Sequence, residues 1–176
     1  MRTLVFDTET TGLIKNMLPP LDRQPHIIEF FALSLDSAGN ELEKFHYLFN
    51  PGVKFEEKIT QITGITPDML KNEKSFSVIA QHILELIEVH DEVVAHNLSF
   101  DKAMIDVEMK RCGKKVKWPS LICTIEATEY IKGYRLNLNA LHEMLFDVEF
   151  KDAHRAENDV RALARCFNEL RKMGVV

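Results

Sequence analysis

The chain has 176 residues, 45% of them hydrophobic and 28% charged, with a net charge of −5. This is enough for one domain with its own core; no apolar run approaches the ~20 residues of a membrane helix, and the acidic balance argues against a protein that coats nucleic acid through many Lys and Arg contacts. An acid at Asp7 comes too early for a secretory leader, and Cys112, Cys123 and Cys166, odd in number and widely spaced, read as reduced thiols of a cytoplasmic protein and not as a disulfide framework or zinc knuckle.

Thr3–Phe6 is a short apolar run that enters an acidic cluster, which predicts a buried strand with Asp7 at its exit. Pro19, Pro20 and Pro25 break the chain before a second strand, Ile27–Leu35. Asp36–Asn40 is a turn, and a third strand follows near Leu42–Phe49, stopped by Asn50-Pro51-Gly52. These read as an antiparallel meander. The period then changes: Phe76, Ile79, Ala80, Ile83, Leu84 and Ile87 recur at helical spacing after a cap at Ser75. Glu92–Ala95 is a short strand, Phe100–Met109 a helix capped by Ser99 or Asn97, Leu121–Cys123 a further short strand, and Leu138–Leu145 a helix. Val160, Leu163, Ala164, Phe167 and Leu170 stripe a last helix that ends near Gly174. Strands first and βα alternation afterwards imply an α/β sheet with helices on its faces, whose sites sit where strand ends meet helix starts. No repeat or linker interrupts the chain, so residues 1–176 read as a single domain.

Three acidic segments carry the chemistry. Asp7 and Glu9 form D-x-E; on an extended chain residues two apart face the same side, so both carboxylates can serve one metal. Taken alone, the pair reads as two solvated acids at a strand end. Thr10-Thr11-Gly12 adds a turn whose backbone N–H groups suit a ribose hydroxyl or a phosphate. Asp101 opens a helix, where the dipole favours an acid whatever its function; Asn97 beside it offers a polar contact, and Phe100 a core anchor. His154 and Asp159 bracket the start of the last helix, with Asp159 in the first turn and His154 in the loop or at the cap. A loop histidine with its ordinary pKa of about 6.5 suits taking a proton from water, although alone it reads as a surface residue. Four carboxylates and one imidazole together are the parts for two divalent ions and a general base, which is equipment for cutting phosphodiesters.

With these motifs the chain resembles the DEDDh group of 3′→5′ exonucleases, the DnaQ-like family that includes the proofreading subunit of bacterial replicative DNA polymerase. The resemblance runs from Phe6-Asp7-Thr8-Glu9-Thr10-Thr11-Gly12-Leu13 through His96-Asn97 and Phe100-Asp101 to His154, Ala156 and Asp159, supported by Ile27-Ile28-Glu29, Gly64-Ile65-Thr66 and Cys123-Thr124. It implies a ribonuclease H-like fold, a mixed five-stranded sheet flanked by helices. It further implies that Asp7, Glu9 and Asp159 hold two divalent cations, Mg²⁺ or Mn²⁺, with Asp7 bridging both and Asp101 completing the second site. His154 would be the base. Backbone around Thr11 and Gly12 would meet the terminal 3′-hydroxyl, Leu13 would wedge against the last base, and Asn97, with Phe100 near it, would help place the strand. The expected partner is the 3′ end of single-stranded nucleic acid, DNA ahead of RNA, and the family also points to association with a DNA polymerase.

The chain departs from the family in three places. Thr63 stands where the family often has histidine, which implies a changed pocket wall. The Lys15–Pro25 connection is long, either lining substrate or forming an ordinary surface loop. The sequence ends soon after its last helix, which favours a free-standing enzyme over a permanent polymerase subunit. Lys110, Arg111, Lys114, Lys115 and Lys117 form a basic island that reads either as a phosphate contact or as a solvated helix end, with Trp118 beside it a packing residue. Competing expectations are an RNA-trimming or oligoribonucleotide-degrading enzyme with the same five residues, and a nucleic-acid-binding module without turnover.

Overall fold

The computed structural model describes residues 1–14, 20–148, 150 and 155–176. Five strands form one mixed sheet: β1 (Thr3–Thr10), β2 (Ile27–Leu35), β3 (Glu41–Leu48), β4 (Glu92–Ala95) and β5 (Ser120–Cys123), in the order β3-β2-β1-β4-β5. The first three pair antiparallel as the expected meander, and β4 and β5 continue parallel to β1. The fold is the ribonuclease H-like α/β class that the motifs imply.

Both faces of the sheet are covered, which is why Leu4–Phe6 of β1 and most of β2 read as continuous apolar runs and not as alternating ones. Leu4 and Phe6 point to one face, where they pack with Phe30, Ala32 and the helices α3 (Phe76–Glu88) and α4 (Leu98–Arg111). Val5, Phe31, Leu33 and Leu35 point to the other, against α7 (Ala156–Lys172). Two further helices, α5 (Thr124–Lys132) and α6 (Leu138–Phe146), contribute Ala127 and Leu141 to the far side of α7, where Cys166 and Leu170 meet them. Trp118 is a packing residue as expected: its ring stacks on Phe6 and its Nε1 donates to Asp106 at 2.9 Å. No helix among the described residues is long and apolar enough to cross a membrane.

Several elements depart from the sequence reading. The first strand does not stop at Phe6; it runs to Thr10, so Asp7 and Glu9 lie inside it. The antiparallel ladder to β2 holds it extended, with Asp7 opposite Phe31 and Glu9 opposite Glu29. Two short helices occupy the stretch after β3: α1 (Glu57–Thr63) and α2 (Pro67–Leu70). Their junction explains Gly64-Ile65-Thr66 physically. Gly64 closes α1 in the left-handed region at φ 71°, where glycine carries no Cβ penalty. Ile65 is fully buried, and the Thr66 hydroxyl caps α2 by accepting from Met69 N–H. The helix expected from Phe100 starts at Leu98, and neither Asn97 nor Ser99 caps it by side chain; Ser75 likewise makes no capping bond to α3.

Candidate active site

The site lies where β1 outruns its parallel neighbour. β4 pairs with β1 only from Thr3 to Val5, so the flank of β1 beyond Val5 has no strand beside it. The start of α4 fills that place. Asn97 makes the sharp turn from β4 into the helix in the left-handed region (φ 67°, ψ 47°), which asparagine tolerates better than most side chains. This turn brings Asp101, 3% exposed, onto the open flank. One Asp101 oxygen accepts from the Thr8 backbone N–H at 3.1 Å and from the Thr8 hydroxyl at 2.7 Å. The carboxylate thus takes the backbone donor that another β4 residue would have taken.

Asp7 and Glu9 project from the opposite face of β1, the one that α7 covers, and Asp159 meets them from the first turn of α7. Oxygens of these three carboxylates lie within 4.8 Å of one another, the one grouping of this kind among the described residues. All donors are oxygens, which fits a hard divalent cation such as Mg²⁺ or Mn²⁺. Asp101, held by Thr8, falls outside this 4.8 Å grouping but stays near enough for its charge to act on Asp7. His154 lies outside the described residues, as do Lys15–Pro19 of the first connection.

Crowded carboxylates resist ionisation. Burial, then the charges of Asp101, Glu9, Asp159 and Glu29, hold the Asp7 carboxyl well above its ordinary range. Glu9 is pushed up to about 8 by burial and by Asp159, Glu29 and Asp101, with Arg155 pulling the other way. Burial raises Asp101 as well, against the two hydrogen bonds from Thr8. Such a set favours a cation over protons once one is supplied.

Sequence reasoning gave Glu29 no role beyond a family match, and it passed over Arg155. Glu29 is a fully buried acid near the start of β2, directly across from Glu9. It accepts from His46 Nε2 at 2.8 Å, from Arg155 at 3.1 and 3.4 Å, and from the Ala156 backbone N–H at 3.3 Å. Burial alone would raise its carboxyl, but these donors and the Arg155 charge bring it below its ordinary value. Glu29 therefore stays ionised and ties the start of α7 to the sheet. The available signal was a lone acid in a nine-residue strand that is apolar but for it and Ser34.

A groove of about 740 Å³ opens from Glu9 and runs between the Thr10–Ile14 stretch, the Asp22–His26 stretch and α1. Thr11, Gly12 and Leu13 line it, and the Leu13 side chain is 77% exposed. The Thr11 N–H donates to the His26 carbonyl at 2.8 Å, and the Thr11 hydroxyl accepts from the His26 N–H at 2.9 Å, so this turn is bolted to the opposite wall. Phe100 is half-buried: it packs on the core and shows its remaining surface to the groove. Asn97 is exposed. Thr63 is part of the wall, with its hydroxyl donating to Ile59 C=O at 2.9 Å and accepting from Ile65 N–H at 3.1 Å. The described half of the long first connection lines the groove too. Arg111 of α4 secures it by donating to the carbonyls of Leu21, Gln24 and Pro25 and to Glu108. Arg111 is thus a brace and not a member of an open basic surface.

The family model described as Exonuclease (RNase_T) matches residues 4–167. The chain is 33% identical over 156 residues to the DNA polymerase III subunit epsilon of Buchnera aphidicola subsp. Schizaphis graminum, covering 88% of this chain and 66% of that protein. It is 29% identical over 173 residues to the 3′-5′ exonuclease DinG of Bacillus subtilis, covering 96% of this chain but 17% of that one. The chain thus spans less than two thirds of either relative. Among solved structures, the nuclease domain of 3′hExo, a DEDDh family member bound to rAMP, superposes with TM-score 0.80 at 14% identity over 98% of this chain and 92% of that one. Exonuclease I of E. coli in complex with a dA16 oligonucleotide superposes with TM-score 0.77 at 19% identity over 97% of this chain and 41% of that one. At these identities the superpositions speak for the fold, while the family match runs through all three acidic motifs. The chain belongs to the exonuclease family, in its DEDDh group of 3′→5′ exonucleases.

Proposed function

We propose that this chain is a metal-dependent 3′→5′ exonuclease that hydrolyses single-stranded nucleic acid, DNA ahead of RNA, to nucleoside 5′-monophosphates, with residues 1–176 acting as one exonuclease domain. The observation that carries this reading is the convergence of Asp7, Glu9 and Asp159 at the mouth of a groove of ligand size. The two cations, Mg²⁺ or Mn²⁺, would be held by Asp7, Glu9 and Asp159, with Asp101 completing the set. Bound there, they would supply Lewis-acid stabilisation to the attacking and leaving oxygens of an in-line displacement.

The remaining work falls to the chain itself. Thr8 fixes the Asp101 carboxylate from two donors. Glu29 and Arg155 fix the start of α7, and with it Asp159. His154, five residues before Asp159 in the sequence, takes the proton of the attacking water. The exposed Leu13 wedges against the terminal base, the Thr11–Gly12 turn receives the terminal hydroxyl, and Asn97 and Phe100 place the strand from the α4 side. The likeness to an epsilon subunit supports a DNA polymerase as a further partner, to be sought by co-purification.

The test is a set of 5′-labelled DNA and RNA single strands of equal sequence, incubated with Mg²⁺, Mn²⁺ or EDTA. A metal-dependent ladder that shortens from the 3′ end is expected, with the DNA strand degraded faster. Asp7→Ala should reduce the ladder to the EDTA background. Equal products with and without metal, or full activity in Asp7→Ala, would sink the reading. A faster RNA ladder would move the assignment to the RNA-trimming alternative.

A further inference from the structure

Helix α4 carries a second buried acid, one that the proposed chemistry does not use. Glu108 is 3% exposed and lies close to two helical turns after Asp101, so both acids share one face of the helix, roughly 10 Å apart along its axis. From this face Asp101 holds Thr8 of β1. Glu108 holds the start of β2. Its Oε1 accepts from the Ile27 backbone N–H at 3.1 Å, from His26 Nδ1 at 3.1 Å and from Arg111 Nη1 at 2.8 Å. The ladder between β1 and β2 slips at this point, Glu9 pairing with Glu29 but Thr10 with Ile27, and an irregularity of this kind re-aims the backbone.

His26 carries that hold across to the end of the acidic strand. Its C=O and N–H are the two groups that bind Thr11. Its ring depends on the tie to Glu108, because the residue lines the groove and also a second cavity of about 190 Å³, which Glu108, Arg111, Cys112 and Phe76 share. A buried ion pair such as Glu108–Arg111 is a weak source of stability, and its effect here is to set where residue 26 stands. We propose that Glu108 is a positioning residue for the terminal nucleotide. Acting through His26, it fixes the Thr11–Gly12 turn that receives the 3′-hydroxyl, and so governs how strictly a free hydroxyl is demanded at the end being cut. The role of the turn rests on the exonuclease reading; the mechanical coupling from Glu108 to Thr11 does not.

The test compares oligo-dT twelve-mers that end in a 3′-hydroxyl or in a dideoxynucleotide, with Mg²⁺, and follows the Thr11 amide of the whole chain by hydrogen exchange. Wild type should cut the hydroxyl end faster by about tenfold, the worth of roughly one hydrogen bond. Glu108→Gln keeps the shape but removes the charge that holds Arg111, and charge-assisted bonds are about twice as strong as neutral ones. It should bring the end preference down to about twofold and lower kcat on the hydroxyl end about tenfold, with KM within about twofold of wild type. The Thr11 amide should exchange about tenfold faster, while the amides of Leu4–Phe6 keep their rates. His26→Ala cuts the same tie from the groove side and should act alike, with partial recovery in His26→Gln, whose amide can still donate to Glu108. Glu92, a buried acid at the start of β4 tied to Arg171, supplies the control: Glu92→Gln should lower Tm and leave the end preference intact. The assignment is overturned if Thr11 exchanges at the wild-type rate in both Glu108→Gln and His26→Ala, if both lose stability but keep the wild-type end preference, or if wild type cuts the two ends equally well. Faster Thr11 exchange in the variants with no cleavage by wild type in Mg²⁺ or Mn²⁺ would keep the coupling and sink the exonuclease reading; cleavage from the 3′ end with Thr11 unmoved would do the reverse.

Discussion

Glu9 shows how one residue couples stability to cation binding. Its carboxyl titrates near 4.5 in an unfolded chain and is pushed up to about 8 in the fold. Between those values the folded, cation-free protein holds a proton that the unfolded chain has released. Its stability is therefore greatest below the lower value and declines as pH rises toward the upper one. A cation displaces that proton, so its stabilising effect grows over the same window. Thermal unfolding from pH 5 to 9, with EDTA or Mn²⁺, should show Tm in EDTA falling with pH and the Mn²⁺-induced rise growing. Glu9→Gln should make the EDTA profile shallower, leaving the share carried by Asp7 and Asp101, and a flat wild-type profile would contradict the raised carboxyls. His154 makes a different demand. Loss of a general base slows the chemical step by about 10²–10⁴-fold, so His154→Ala should lower kcat by that order and leave oligonucleotide Kd within a few-fold. Equal losses in both would assign it a positioning role.

The elements meet at the site through a few polar ties, and the one between β2 and α7 is the most exposed to test. Arg155 donates two hydrogen bonds to Glu29, and its side chain keeps 38% of its surface in water. Charge-assisted bonds contribute roughly 1.5–3 kcal/mol each at full burial, and solvent screening reduces that. Arg155→Ala should therefore cost about 1–2 kcal/mol in urea unfolding. Because the pair fixes the start of α7, kcat should fall as well, with partial recovery in Arg155→Lys. A stability loss with unchanged kcat would reduce the pair to a structural tie. At this scale the sequence was an uneven guide. Long periodic elements such as α3 and α7 stood out because their apolar stripe repeats over several turns. The helices α1, α2 and α5 did not: α1 is rich in β-branched residues, α2 is a single turn, and α5 buries few side chains. The end of β1 was misplaced because Asp7 and Glu9 look like loop residues unless the ladder to β2 is known. The D-x-E pair, Asp101 and Asp159 were legible because their chemistry and spacing survive without coordinates. Glu29 and Arg155 were not, since their meaning lies in contacts between segments far apart in sequence.

At the scale of the whole molecule, the core and the site make opposite contributions. The clusters on the two faces of the sheet bury Phe6, Phe30, Phe31 and Phe167 without any help from cations. Chelation should then leave the far-UV circular dichroism of the protein unchanged at 25 °C. The site opposes that stability, since mutually repelling acids are held together for what they bind. Asp7→Asn should accordingly raise Tm in EDTA at pH 8 while abolishing turnover. A gain of 1 kcal/mol corresponds to about 2–4 °C in a chain of this size. A lower Tm in Asp7→Asn under EDTA would show that the carboxylate is well accommodated without a cation.

The placement of Asp7 and Glu9 inside β1, and not beyond its end, has a consequence for how this sequence can change. Side chains on a strand alternate faces, so removing or adding one residue between Val5 and Glu9 would turn an acid from the α7 side toward α4. The pairing of Glu9 with Glu29 would shift in the same step, taking the Glu9 carboxylate out of the grouping it makes with Asp7 and Asp159. The interval between the two acids is therefore set by the pleat of the backbone, and length variation has to be absorbed outside the strand.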